Sequence, residues 1–179
     1  MNKKKCIIAV CLLLMLTSLL FAGKGKSAES RVSAGAVRTD NISDGDTIAV
    51  ICDGRFEKVR LIGIDAPELA QRPWGRRAKR CLEALVEDAD AAVSLEYDIV
   101  PRDKYGRLLA YVWTRDRKMI NEEMLKKGCA VLFTYPPNVR YIRRFRAALK
   151  TAQDNKRGIW GENGLKEQPS DYRKNHPRR

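Results

Sequence analysis

The apolar positions of this chain alternate in some stretches and recur at helical spacing in others, and this assigns most of its elements. Residues 32–40 are weakly strand-like. Residues 48–51 and 56–64 are β-branched runs on either side of Asp53-Gly54, a dipeptide that tolerates the positive φ of a tight hairpin turn. After Pro73, the residues Ala78, Cys81, Leu82, Leu85, Val86 and Ala89 recur three and four apart, which lines one face of a helix. Residues 92–97 and 108–114 read as two further strands. Residues 119–127 read as a short helix closed by Gly128 in the C-cap position. A short apolar segment, 129–133, leads to the turn-forming Pro136-Pro137-Asn138. Tyr141, Phe145, Ala148, Leu149 and Ala152 mark a last helical face that ends near Gly158. Five short strands and three helices that do not alternate regularly point to a small α+β barrel, of which an OB-type Greek-key barrel is one form.

The two ends fall outside this pattern. Three lysines at positions 3–5 precede an uncharged apolar run from Cys6 to Ala22, the layout of an export signal or an uncleaved N-terminal anchor. Residues 1–28 are therefore assigned to that segment, 29–31 to a linker, 32–161 to the folded domain and 162–179 to a polar, basic, flexible tail. Either form of the leader places the working domain outside the cytoplasm.

Charge narrows the partners. The full chain carries +13, and residues 1–28 remove five lysines and no acid, which leaves +8. A balance this basic favours a polyanion such as nucleic acid, although an anionic membrane or cell-wall polymer meets the same condition. Beyond the leader only Cys52, Cys81 and Cys129 remain, an odd number that permits one internal disulfide at most. Each sits in an apolar pattern, so buried thiols are the ordinary expectation, and the spacing matches no zinc motif.

The single histidine, His176, lies in the expected tail, which argues against histidine-based catalysis or metal ligation. Hydrolytic chemistry here rests on carboxylates, arginines and a bound cation. Three clusters supply them: Asp44-Gly45-Asp46-Thr47, the segment from Arg60 to Glu68 (RLIGIDAPE), and Asp103-Lys104-Tyr105-Gly106-Arg107. Strand alternation is expected to place Arg60, Ile62 and Ile64 on one face, with Asp65 and Glu68 beyond the strand end. Two aspartates facing each other across paired strands would make a hard oxygen site for Ca²⁺ or Mg²⁺. A nearby glutamate suits water activation, and arginine forks suit phosphate oxygens. Taken singly each cluster has an ordinary reading, as a turn before a strand, a helix start or a solvated basic loop.

Together and in this order, the motifs DGDT, RLIGIDAPE and DKYGR, the helix MINEEMLKKG and the closing GIW closely resemble the staphylococcal nuclease family over residues 32–160. The resemblance implies a five-stranded OB-fold barrel flanked by three helices. It also implies a Ca²⁺-dependent enzyme that cuts DNA and RNA and leaves 3′-phosphate ends. Carried over by position, Asp46 and Asp65 would ligate calcium with the backbone carbonyl of Ala66, and Asp44 would stand behind them. Glu68 would be the general base or would orient the water. Arg60 and Arg107 would grip the scissile phosphate, Lys104 and Tyr105 a terminal phosphate, and Tyr135 would line the base pocket. The family's best-known member has threonine at the place of Ala66 and a longer lysine-containing loop between Glu68 and Trp74. The implied partners are DNA and RNA, single strands favoured, for a monomer that meets a membrane only through its leader. The rival readings are a non-catalytic nucleic-acid-binding module on the same fold and a cell-surface scaffold indifferent to calcium.

Overall fold

The computed structural model describes residues 36–52 and 54–177. The leader and linker assignments lie outside the described residues. Strands β1 (Val37–Ile42), β2 (Thr47–Cys52), β3 (Arg55–Leu61), β5 (Ala92–Arg102) and β6 (Leu108–Trp113) close into a barrel in the order β1-β2-β3-β6-β5. All neighbours are antiparallel except β3 and β6, which run parallel. The short strands β4 (Ile64–Asp65) and β7 (Val131–Leu132) pair beside it. Closure leaves no exposed sheet edge in a small basic protein.

Barrel residues alternate as the pattern requires. Ile48 and Val50 of β2 and Val59 and Leu61 of β3 are fully enclosed, while Ile51 and Lys58 beside them are exposed. Helix α1 (Trp74–Glu87) buries Ala78, Leu82, Leu85 and Val86 against the barrel, the stripe set by their three-and-four spacing. Leu82 has no exposed surface, so truncating it to alanine would cost about 2–5 kcal/mol. Helix α2 (Ile120–Lys126) lies in the centre of the helical layer with Ile120, Met124 and Leu125 fully buried. Asn121 is buried among them because its side chain is satisfied, taking the Val112 N–H and donating to the Ile62 carbonyl at 2.8 Å each. Helix α3 (Ile142–Asp154) packs through Phe145, Ala148 and Ala152. Among the described residues, no helix is long and apolar enough to cross a membrane.

Three features differ from the sequence reading. Strand β3 stops at Leu61 because Gly63 takes φ +83° and the chain reverses there, so Arg60, Ile62 and Ile64 do not share one strand face. Cys81 of α1 and Cys129, beyond α2, form a disulfide where buried thiols were the expectation. Within residues 162–177, which carry no apolar periodicity, a fourth helix, α4 (Pro169–Asn175), forms and reaches Asp65 of β4 and Glu68 through Arg173.

Candidate functional site

The first cluster is a tight loop. The Ser43 N–H donates to the Thr47 carbonyl at 2.9 Å, and the Asp46 N–H donates to Asp44 Oδ1 at 3.1 Å. Gly45 is pressed so closely against Ala66 and Ala78 that a Cβ there would lie 2.6 Å and 2.7 Å from theirs. Only glycine lets the loop lie flat on both the Asp65 segment and α1. This contact drives the two acidic clusters together.

The second cluster is organised by Arg60. Its Nη1 donates to the carbonyls of Leu61 (2.7 Å) and Ile64 (2.9 Å), which clamps the reversal at Gly63. Its Nη2 lies 3.0 Å from both Asp46 Oδ2 and Asp65 Oδ1. The aspartates do not face each other across a ladder. The main chain of Asp46 accepts from the Leu61 N–H, whereas Asp65 pairs with Val131. They meet through the shared guanidinium and through the Ala66 N–H, which donates to Asp46 Oδ2 at 2.8 Å. Ala66 is thus brought to Asp46 through its main-chain N–H. Arg60, expected as a phosphate grip, has both terminal nitrogens already engaged by carboxylates and carbonyls.

These acids are crowded. Burial pushes the Asp46 carboxyl up to about 6, against the pull of Arg60, and the charges of Asp44 and Asp65 add to the rise. Such a set gains from a cation. Glu68 lies on the turn that leads into α1, where its N–H donates to Gln71 Oε1 at 2.9 Å and its carbonyl accepts from the Gln71 N–H at 2.8 Å. Gly75 lets the helix start directly against this turn, since a Cβ there would lie 2.0 Å from the Glu68 carbonyl oxygen. Gln71 is buried and was not singled out from sequence; a lone glutamine between a proline turn and a helix carries no signal there.

A cation is already held at this position. Arg173 of α4 donates to Asp65 Oδ2 (2.8 Å), Asp65 Oδ1 (3.1 Å) and Glu68 Oε1 (2.9 Å). The hydrogen bond to Asp65 holds its guanidinium well above the ordinary arginine range; burial opposes this, and Glu68 reinforces it. No sequence signal pointed to Arg173, because its partners lie more than a hundred residues away. Among the described residues no three acidic, histidine or cysteine side chains converge as a ready metal cage. The donor set nonetheless suits a hard divalent ion, with Asp46 and Asp65 supplying carboxylates and water and main-chain oxygen the rest.

The third cluster forms the loop before β6. Asp103 Oδ1 accepts the N–H groups of Tyr105 (2.9 Å) and Arg107 (3.0 Å), and its Oδ2 accepts from Arg107 Nε at 2.7 Å. Burial pushes the Asp103 carboxyl up, but these hydrogen bonds outweigh it and bring it below the usual range. Arg107 is thus held by one edge, and among the described residues neither terminal nitrogen has a hydrogen-bond partner. The exposed Tyr105 ring lies under Lys104 and Arg107, at 5.0 Å and 5.7 Å. Across the barrel wall Thr47 pairs with Arg60 and Arg60 with Leu109, so Asp46, just before β2, and Arg107, just before β6, flank the strand that carries Arg60. Tyr135 stands apart on the Pro136-Pro137 loop, which Asn138 clamps to both main-chain groups of Val100; its carbonyl accepts the Asn138 N–H at 2.9 Å.

Comparison with known proteins meets this geometry. Residues 58–162 match the family model described as staphylococcal nuclease homologue. The chain is 36% identical over 160 residues to a thermonuclease of Staphylococcus intermedius, covering 86% of this chain and 94% of that protein. A thermonuclease of Staphylococcus hyicus is 35% identical, over 86% of this chain and 93% of its own length. Endonuclease YncB of Bacillus subtilis is 40% identical over 135 residues, which is 72% of this chain and 63% of that protein. With the barrel, the acidic cradle and the arginine loop in the family's order, the chain belongs to the staphylococcal nuclease family.

Proposed function

We propose that this protein is a secreted, calcium-dependent nuclease that hydrolyses phosphodiester bonds of DNA and RNA, favours single strands and leaves 3′-phosphate ends. One observation carries the reading: Arg60 draws Asp46 and Asp65 together, and Arg173 bridges Asp65 to Glu68, so these acids already attract cations. The nuclease names of its relatives supply the substrate class. The disulfide between Cys81 and Cys129, together with the basic and apolar leader, supports work in an oxidising compartment outside the cytoplasm.

A divalent ion bound by Asp46 and Asp65 would draw charge from the phosphate oxygens and acidify an adjacent water. The protein's own groups do the rest. Glu68, fixed by Gln71 at the start of α1, accepts the proton of the attacking water. Arg107, anchored at Nε by Asp103, offers two open nitrogens to the phosphate and stabilises the charge that builds during attack. Arg60 keeps the two aspartates in register and has only its Nε edge to offer substrate. Lys104 and Tyr105 extend the basic, aromatic surface beside Arg107, with the exposed Tyr105 side chain within reach of a base or phosphate. Tyr135, half-exposed on its own loop, would reach a base farther from the reacting phosphate.

The test is Glu68→Gln, assayed on single-stranded DNA with calcium and with chelator. The expected result is cleavage by the natural protein only with calcium, and a loss of about 10³-fold in the variant with binding retained. Normal cutting by the variant would refute the assignment of Glu68. Intact DNA in every divalent metal, with the strand still bound, would establish the non-catalytic binding module instead.

A further inference from the structure

Helix α4 is built from polar residues, and it docks where the acids cluster. Most bonds of the segment stay within it: Tyr172 stacks on His176 at 4.1 Å, Lys174 meets Asp171, and Asn175 meets Glu167. It reaches the site through two points. Gln71 Nε2 donates to the Glu167 carbonyl at 2.9 Å, and Arg173 donates to Asp65 and Glu68. Gln71 is the residue that also holds the Glu68 turn, so the proposed base and the tail share one bracket. Asp65 is 1% exposed overall, and its two oxygens are divided between Arg60 and Arg173.

Resting on the reading of Asp46 and Asp65 as a cation site, we propose that Arg173 is a removable counter-ion of that site. With no divalent ion present, its guanidinium neutralises Asp65 and Glu68 and latches residues 166–177 over them. A divalent ion and Arg173 compete for the same Asp65 oxygens, since two cations on one carboxylate repel and the lone pairs are limited in number. Arg60 cannot be the group that yields, because its Nη1 is committed to two carbonyls of the Gly63 reversal. Arg173 can, since it is 41% exposed and its short helix keeps most of its bonds within its own segment. The tail is then released when metal enters, and substrate reaches Glu68 only in the loaded form.

The experiment is calorimetric titration of the full chain with Ca²⁺, beside Arg173→Ala, Arg173→Lys and a chain ending at Lys166. Hydrogen exchange of residues 166–177 is read in chelator and in saturating Ca²⁺. Arg173→Ala and the shortened chain are expected to bind Ca²⁺ about 5–50-fold more tightly, with Arg173→Lys between them and the natural chain. The natural tail is expected to lose protection when Ca²⁺ is added, and the Arg173→Ala tail to lack it from the start. Equal affinity in all four proteins, or weaker binding by Arg173→Ala, would overturn the latch while leaving the metal site in place. Absence of Ca²⁺ binding in every variant would overturn the metal reading and the latch with it.

Discussion

Glu96 and Asp98 on β5 are buried as deeply as Asp46 and Asp65, at 4% and 5% exposed against 7% and 1%, yet their surroundings are organised differently. Asp98 accepts from the Tyr111 hydroxyl (2.7 Å) and from the N–H groups of Ile99 (3.0 Å) and Arg140 (3.1 Å). Glu96 accepts from Trp113 Nε1 (2.8 Å), Arg140 Nη1 (2.6 Å) and the Tyr141 hydroxyl (3.0 Å). Tyr111, Tyr141 and Phe145 then pack edge to face, and Arg144 lies over Trp113 while pairing with Glu122. Donors on β5, β6, α3 and the turn entering it meet these charges, so the cluster joins the barrel to α3. Asp46 and Asp65 share Arg60 as Glu96 and Asp98 share Arg140, but their second arginine is carried by α4 rather than by the barrel or the helices packed on it. Matched buried charge holds structure together. At the site it is Asp46 whose carboxyl burial pushes up to about 6, and a buried charge left short in this way is costly to the fold and leaves binding capacity for an ion.

That contrast can be broken at either cluster. The largest effect is expected from Arg107→Ala, which should slow cleavage about 10²–10³-fold at an unchanged thermal midpoint, measured by steady-state kinetics and calorimetry. A large fall in midpoint would show that Arg107 holds the loop rather than the phosphate. Asp98→Ala should do the opposite. It strands the Tyr111 hydroxyl and uncouples Arg140, and should cost about 3 kcal/mol in urea unfolding while cleavage at low temperature persists.

Asp46→Asn should abolish calcium-dependent cleavage and stabilise the metal-free fold. The folded carboxyl holds its proton up to about pH 6, whereas the unfolded chain releases it near 3.8, so ionisation costs stability in full above about 6 and nothing well below 4. In chelator the variant should gain on the order of 2 kcal/mol at pH 7.5, and the gain should shrink as pH falls toward 4. A variant less stable at neutral pH would show that Asp46 is matched after all.

The smallest effect concerns alkaline pH. Burial, and then the hydrogen bond to Asp98, raise the Tyr111 hydroxyl well above its ordinary value. The folded state keeps a proton that the unfolded chain loses near pH 10, so this stabilisation is complete below that pH and declines above it. Urea midpoints should fall between pH 9.5 and 11, and Tyr111→Phe should flatten that fall. An unchanged slope in the variant would place the alkaline sensitivity elsewhere.

Much of this was legible along the chain because it is local. Period-two runs marked the barrel strands, three-and-four spacing marked α1 and α3, and Gly128 marked the end of α2. The acids and arginines of the site fall in three short motifs, so their identity needed no distance. Their arrangement was less legible. Alternation placed Arg60 with Ile62 and Ile64, but Gly63 ends the strand, and Arg60 turns inward to clamp the reversal and bridge the aspartates. Gln71, Asp103 and Gly45 act by position rather than by type, and residue type is all that a motif displays.

By itself, then, the sequence determined the elements, the barrel class, the basic charge and the list of reactive groups, since each is written in neighbouring residues. The tertiary structure alone decided three things. Cys81 and Cys129 were free to pair only once α1 and the segment after α2 lay side by side, 48 residues apart in the chain. Arg60 and Arg107 were separated into a clamp and an open fork by which of their nitrogens the fold consumes. Arg173 came to Asp65 and Glu68 across more than a hundred residues, through a docking that leaves no periodic trace in a polar tail. Long-range pairing of charge depends on where the backbone brings groups together, and no local pattern encodes that.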